Sequence, residues 1–204
     1  MMNPQVLRRF IKLLALLTVV MFSVWAVTRA FLQEAPGDFH TRQGDIRIGE
    51  GKYEEAIESF NEALREMPNH RGALMGRALV YIRTNRPLEA AAELTHLIGF
   101  LEKNPDAGDA TGRAALAAAY ANRGIVFDRA GRHRKALADY IRALKTDEGA
   151  ISGPGLIDKI IYGTPKPATV RDRALYLKRQ LALPEDERLL RVPEIDKKQR
   201  MYKP

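Results

Sequence analysis

The side chains best suited to chemistry, the histidines, occur singly along the chain. His40, His70, His96 and His133 form no HExxH or other paired-ligand spacing, and a zinc site needs several such ligands at close spacing. The chain has no cysteine, which excludes a thiol nucleophile, a disulfide and a cysteine-based metal site. We therefore expect surface histidines and no metal site.

Motifs for phosphate binding or covalent catalysis are also missing. The sequence contains no GxxxxGK[ST] loop, GxGxxG turn or GxSxG elbow, which are the loops that hold phosphates or expose a nucleophile. The glycines of 153–155 indicate a break between helices, and Glu54, Glu55 and Glu58 indicate a solvated helix face. The sequence predicts neither an enzyme nor a cofactor.

The positive charge of the chain is concentrated at its two ends. The net charge is +8; residues 1–12 carry three cations and no acid, and residues 164–204 carry eleven basic against six acidic residues. The body between them is nearly neutral. A nucleic-acid-binding domain needs a basic patch or a known module, so we expect no nucleic acid partner.

The N-terminal segment is apolar enough to form a membrane anchor. Residues 13–28 read LLALLTVVMFSVWAVT without a charge, and a helix of about 23 residues spans about 34 Å, enough for a hydrocarbon core of about 30 Å. Cations precede the run, and Glu34 and Asp38 follow it. This asymmetry predicts that the N-terminus is cytoplasmic and that the body of the chain is exported. In a bacterium, the chain would then be a single-pass inner-membrane protein with its C-terminal domain in the periplasm.

Two other interpretations of residues 1–33 stay open. Small residues at 24–26 or 28–30 offer a cleavage site, as in a removed signal peptide. The absence of acidic residues from 1–33 is also compatible with an organelle-targeting segment.

A pattern of small and aromatic residues recurs along the body of the chain. Its first occurrence is Gly44, Gly51, Tyr53, Ala56, Phe60, Ala63, Leu64 and Pro68. A later one is Gly124, Phe127, Gly131, Ala136, Tyr140, Ala143 and Leu144. A looser one between them is Ala78, Tyr81, Ala90 and Leu94. The recurrence predicts three units near 37–70, 71–104 and 117–150.

Each unit has the pattern of a helical hairpin. Small residues such as Gly44 and Ala56 allow two helices to approach closely, and Phe60 fills the space beside them. Gly51 supplies the turn, and Pro68 ends the second helix.

This pattern resembles the tetratricopeptide repeat family. The resemblance implies an all-α fold: three helix-turn-helix hairpins in a right-handed superhelical solenoid over 34–150. Several positions depart from the family pattern: Arg47 replaces an aromatic residue or Leu, Asn85 and Pro87 replace the turn glycine and tyrosine, and Glu148 replaces a proline. An insert at 104–116 predicts a loop that leads into an extended first helix.

The resemblance also implies a binding groove, because the first helices of such hairpins line a concave face that holds peptides in relatives. The corresponding residues are Thr41, Asp45, Ile48, Met75, Leu79, Ile82, Arg83, Ala121, Ile125, Asp128 and Arg129. Aliphatic side chains with two arginines suit a segment that has apolar anchors and an acidic group. The alternative is that the chain's own C-terminal segment covers some of the aliphatic side chains.

Relatives that clamp the carboxylate ends of heat-shock chaperones use Lys and Asn at groove positions. This chain has Thr41, Asp45 and Met75 there, and Asn122 is a common structural residue of the repeat. We therefore do not expect the chaperone-clamping role.

Residues 151–204 form a C-terminal extension. The spacing of apolar residues predicts a short helix at 155–162 and, after the Pro-containing stretch 164–167, a helix at 168–182 that caps the open end of the stack. Beyond Pro184 we expect a basic tail that is flexible or becomes ordered on a partner. Its cations could face an acidic protein or anionic lipid, or serve solubility alone.

Taken together, these features predict a membrane-anchored scaffold that binds protein, as an accessory subunit of a membrane or cell-envelope complex. The alternative is a transient assembly or chaperone-like factor for a membrane or exported complex. Self-association of the repeats stays open.

Overall fold

The regular structure of the chain is helical. The computed structural model describes residues 4–31, 35–105, 108–151, 169–192, 199 and 201–202, and no strand occurs among them. Its α-helices are α1 (Pro4–Phe31), α2 (Asp38–Gly49), α3 (Tyr53–Glu66), α4 (Arg71–Arg83), α5 (Pro87–Lys103), α6 (Ala110–Arg129), α7 (His133–Ile151) and α8 (Val170–Leu181), followed by a 3₁₀ helix (Glu185–Glu187). The chain divides into two compact units, Met1–Ala35 and Pro36–Pro204.

The first unit contains α1, a helix long and apolar enough to cross a membrane by length and composition. The apolar stretch Gln5–Arg29 has 25 residues and a mean hydropathy of 2.3, so it would span about 38 Å as a helix. The hydroxyl groups of Thr18 and Thr28 donate to the carbonyl oxygens of Leu14 and Val24 at 2.8 and 2.9 Å. Both hydroxyls are thereby satisfied within the helix, as an apolar environment requires.

The second unit is a stack of three helical hairpins. The pairs α2 and α3, α4 and α5, and α6 and α7 pack within each hairpin, and α3 contacts α4 while α5 contacts α6. The first helices also touch in sequence, α2 with α4 and α4 with α6. Contacts between neighbouring hairpins are typical of a solenoid, which confirms the predicted all-α repeat fold.

The three hairpin turns share one backbone conformation despite different sequences. Gly51, Asn85 and Gly131 have φ angles of 76°, 58° and 74°. Asn tolerates the left-handed region better than most residues that carry a Cβ. Asn85 therefore provides the same turn as the glycines it replaces.

The aromatic residue of the repeat fills space that glycine leaves free. A Cβ on Gly44 would lie 2.5 Å from Cε1 of Phe60, and one on Gly124 would lie 2.6 Å from Cε1 of Tyr140. Both rings are fully buried. The small and large residues of the pattern are therefore complementary packing partners.

The third hairpin differs from the others at both ends. Helix α6 begins at Ala110, before the repeat pattern starts at 117, and Asp109 caps it by accepting from the Gly112 amide at 2.7 Å. Within α7, Asp147 has φ −161° and ψ 96°, close to the −140° and 95° of Met67, which precedes Pro68. The helix is thus interrupted at Asp147 without a proline.

Helix α8 packs against α7, the last helix of the stack. Thr169 and Asp172 form a capping box at its start, which satisfies amide groups at the helix N-terminus. This is the position expected of a capping helix. The helix predicted at 155–162 and the break at 164–167 lie outside the described residues.

Candidate functional site

The predicted groove residues occupy matching positions on the three first helices. The matching sets are Thr41, Met75 and Ala121; Asp45, Leu79 and Ile125; Ile48, Ile82 and Asp128; and Arg83 with Arg129. Some of them meet across hairpins: Ile82 of α4 and Arg129 of α6 line one cavity of about 90 Å³.

Burial divides these eleven residues into two groups. Seven are buried, namely Thr41, Met75, Leu79, Ile82, Ala121, Ile125 and Asp128. Asp45 and Ile48 are half-buried, and the side chains of Arg83 and Arg129 are exposed. An incoming segment can therefore reach Asp45, Ile48, Arg83 and Arg129, and these four residues are more polar than the eleven predicted residues taken together.

Asp128 lies at the centre of a buried hydrogen-bond network. Arg173 of α8 donates to both of its carboxylate oxygens, at 2.6 and 2.9 Å. Nδ1 of His133 donates to Oδ1 at 2.9 Å, and the Tyr140 hydroxyl donates to Oδ2 at 3.3 Å. Gln199 donates to Oδ2 at 2.9 Å. The network ties the capping helix and the tail to the third hairpin.

The electrostatics of this network favour the ionised carboxylate. Burial alone would raise the pKa of Asp128, but the hydrogen bonds from Arg173, Gln199 and His133 and the charge of Arg173 outweigh it. The pKa of Asp128 consequently lies below its ordinary value. Asp128 and Arg173 thus act as a buried ion pair.

The described residues of the tail contact both the third hairpin and α8. Asn122, fully buried, donates to the carbonyl oxygen of Tyr202 at 2.6 Å and accepts from its amide at 2.8 Å. Arg173 donates to the Leu190 carbonyl at 3.0 Å, and Tyr176 donates to the Leu189 carbonyl at 2.5 Å. The described tail residues are therefore ordered on their own chain, whereas the sequence predicts a flexible tail or an arm ordered on a partner.

Asn122, which the sequence predicts to be a structural residue, holds the main chain of the tail through its side-chain amide. The sequence analysis did not predict this pairing. A signal exists in the sequence, since Asn122 is a lone amide within the run AALAAAYANRG at 114–124. A buried amide must find hydrogen-bond partners.

Two of the four histidines are buried, so the prediction of surface histidines was wrong for them. His70 accepts from the amide of Ala73 at 3.2 Å, as the N-cap of α4, and donates to Asp38 at 2.8 Å. His133 is buried against Asp128. Polar partners within the fold make the burial of both rings tolerable.

A cross-helix ion pair recurs in two hairpins and was not anticipated. Arg77 of α4 donates to Glu93 of α5 at 2.6 Å, and Arg123 of α6 donates to Asp139 of α7 at 2.7 and 2.9 Å. Each pair joins the two helices of one hairpin at the same separation in sequence. Over the ranges that the structure describes, no cluster of three or more His, Asp or Glu could hold a metal ion.

An α-solenoid of helical hairpins, with first helices that line one face, belongs to the class of protein-interaction scaffolds. Residues 47–113 match the model of the tetratricopeptide repeat family. A comparison with curated proteins gives no match.

Solved structures of tetratricopeptide-repeat domains share the fold. The first such domain of Spaghetti (RPAP3), solved with the HSP90 peptide SRMEEVD, is 16% identical, with a TM-score of 0.53 over 72% of this chain and 94% of that chain. The first domain of human RPAP3, solved by NMR, is also 16% identical, with a TM-score of 0.53 over 74% of this chain and 97% of that chain. This chain is therefore similar to the tetratricopeptide repeat family in the sequence of residues 47–113 and in its fold.

Proposed function

We propose that this chain is a membrane-anchored tetratricopeptide-repeat scaffold that mediates protein–protein interaction as an accessory subunit of a membrane or cell-envelope complex. The observation that carries the proposal is the presence, in one chain, of an apolar helix of membrane-spanning length and a solenoid with a charged, partly open groove. The anchor would hold the groove at the membrane and raise its effective concentration beside a membrane-bound partner.

The proposed location is the bacterial inner membrane, with one span and the repeat domain in the periplasm. The span supports it, and so does the excess of cations on its N-terminal side, since cationic flanks stay in the cytoplasm. A C-terminal tag should be digested by protease in spheroplasts while the chain stays in carbonate-washed membranes. Release of a shortened chain by carbonate would identify a cleaved signal peptide instead.

The accessible part of the groove defines the chemistry of the partner. Arg83 of α4 and Arg129 of α6 offer exposed cations, and Ile48 of α2 offers a half-buried aliphatic side chain. This set favours a segment that carries an acidic group and an apolar anchor. Thr41, Asp45 and Met75 stand where chaperone-clamping relatives have Lys and Asn. We therefore do not propose the HSP90 peptide of the RPAP3 structure as the partner.

A pull-down of the tagged full-length chain in mild detergent tests the proposal. The groove variant combines Arg83→Glu and Arg129→Glu, because both arginines are exposed and end first helices. Its matched control combines Arg65→Glu and Lys103→Glu, which reverse exposed cations at the ends of second helices. We avoid charges at Leu79 and Ile82, since both side chains are buried and an aspartate there would disrupt the core.

We expect stoichiometric recovery of one membrane complex with the wild type and the control, and loss of that complex with the groove variant. Equal recovery with both variants would remove the groove from the binding surface. Recovery of nothing above background would discard the stable-subunit proposal.

The tail favours a second candidate, a transient assembly or chaperone-like factor. The Asn122 side chain of the third hairpin already holds the Tyr202 main chain, so a client would have to exchange with the tail. This candidate predicts substoichiometric recovery of a client and loss of its maturation when the gene is deleted.

A further inference from the structure

The contacts between the tail and the third hairpin have the form of peptide recognition. Asn122 makes both of its bonds to Tyr202 through the main chain, at 2.6 and 2.8 Å. Bonds of this kind hold any extended segment, whatever its side chains. Asn122 is followed, at helical spacing along α6, by the groove positions Ile125 and Asp128, which also face the tail.

Two tail side chains add selectivity to this main-chain contact. The amide of Gln199 donates to Asp128 at 2.9 Å. Tyr202 lines a small cleft together with Ile125, Tyr140 and Val170, and it packs against the core cluster. The tail therefore presents a hydrogen-bond donor three residues before an aromatic side chain.

The tail residues that make these contacts are partly exposed. Gln199, Met201 and Tyr202 are all only half-buried, and none of them belongs to a helix or strand. Their described contacts include the hydrogen bonds of Gln199 to Asp128 and of the Tyr202 main chain to Asn122. Half-buried contacts of this kind open more readily than the core.

We propose that the groove face of the third hairpin is a binding site for an extended polypeptide with a donor side chain three residues before an aromatic residue. Its resting occupants are the chain's own Gln199, Met201 and Tyr202. The inference rests on the proposed function, because it places the tail in the groove that a partner would enter. A partner segment of the same pattern displaces the tail.

A synthetic peptide of residues 195–204, IDKKQRMYKP, labelled with fluorescein, tests the site by fluorescence anisotropy. It is titrated with the full-length chain in mild detergent, as wild type and as the Gln199→Ala, Tyr202→Ala variant, whose own tail is released. In the wild type the peptide competes with the attached tail, whose effective concentration at the site is about 1 mM. If the free peptide has a dissociation constant of about 0.1 mM for the unoccupied site, it should bind the wild type roughly tenfold more weakly than the Gln199→Ala, Tyr202→Ala variant.

Three controls define the site. Adding Asn122→Ala to the released variant should lower peptide affinity at least tenfold, whereas adding Asn69→Ala, whose amide contacts His96 outside the groove, should leave it unchanged. The peptide IDKKARMAKP lacks both recognised side chains and keeps only the main-chain contact, so it should bind at least tenfold more weakly than IDKKQRMYKP. Circular dichroism establishes that each variant keeps its helices.

Equal peptide affinity for the wild type and the released variant would overturn the proposal, because the tail would then not occupy the site. Absence of binding to both chains would overturn it as well, and the wild-type arm does not depend on any variant folding. Light scattering that shows a wild-type dimer, dissociated by the tail substitutions, would move the occupant to a second copy and also overturn the proposal. The pull-down of Arg83→Glu, Arg129→Glu reports on the proposed function separately.

Discussion

Removing the positive charge of the buried ion pair should strongly destabilise the third hairpin. Arg173 and Asp128 each expose only 2% of the side chain. The substitution Arg173→Met keeps the aliphatic stem but leaves the carboxylate buried. Loss of one partner of a buried pair costs about 3–5 kcal/mol, and His133 and Gln199 remain as donors to Asp128. We therefore expect the lower end, about 3 kcal/mol.

Urea unfolding of the full-length chain in mild detergent, followed by circular dichroism, measures this loss. With a urea dependence of about 2 kcal/mol per M, a loss of about 3 kcal/mol lowers the unfolding midpoint by about 1.5 M. The matched control is Arg171→Met on the same helix, whose pair with Glu148 is exposed. An exposed pair contributes about 0–1 kcal/mol, so the control should hardly move the midpoint.

The pH dependence of the same comparison follows from the lowered pKa of Asp128. A carboxyl with a lowered native pKa adds stability above its unfolded pKa of about 3.9, and this stability is lost as the pH falls through the native pKa. The difference between the wild type and Arg173→Met should therefore shrink between pH 5 and pH 3. A difference that stays constant from pH 7 to pH 3, or an Arg173→Met midpoint equal to that of Arg171→Met, would refute the reasoning.

Two further predictions concern the backbone of the repeats. Asn85→Gly should raise the thermal midpoint by a few degrees and Asn85→Ala should lower it, because a left-handed backbone costs most residues about 1–2 kcal/mol; equal midpoints would contradict the turn assignment. Gly124→Ala should destabilise the chain, because overpacking against Tyr140 costs about 1–3 kcal/mol, against about 1 kcal/mol of gained helix propensity. The control is Gly99→Ala, whose added Cβ has no described neighbour within 4 Å. This control should raise the free energy of unfolding by up to about 1 kcal/mol. If Gly124→Ala and Gly99→Ala shift the urea midpoint in the same direction, the packing explanation is wrong.

The repeat pattern was sufficient to predict the hairpins, because its small and aromatic residues are packing partners. The small and aromatic residues recur with the spacing that close helix contact requires. The structure places Gly44 against Phe60 and Gly124 against Tyr140. The departures at Asn85 and Glu148 did not alter the fold. Asn85 adopts the left-handed conformation of the turn, and Asp147, which precedes Glu148, adopts the extended conformation that interrupts the helix. The start of α6 at Ala110 was not fixed by the pattern, because Asp109 sets it through a local cap.

The site was harder to predict, because it depends on contacts between residues far apart in sequence. The bonds of Asn122 and Asp128 to the tail join positions about 70 to 80 residues apart, and no local pattern shows such a pairing. The burial of Leu79 and Ile82 likewise depends on the neighbouring hairpins. Family position identified where a groove would lie, but not which of its side chains stay accessible.

The most direct test of the account is site-specific photo-crosslinking from position 83 in cells that express the full-length chain. A benzoylphenylalanine replaces Arg83, exposed on the groove side of α4, and, in a matched control, Arg65, exposed on the second helix α3. The account predicts one discrete cross-linked partner in the membrane fraction from position 83 and none from position 65. No cross-link from position 83, or the same products from both positions, would contradict a protein-binding groove.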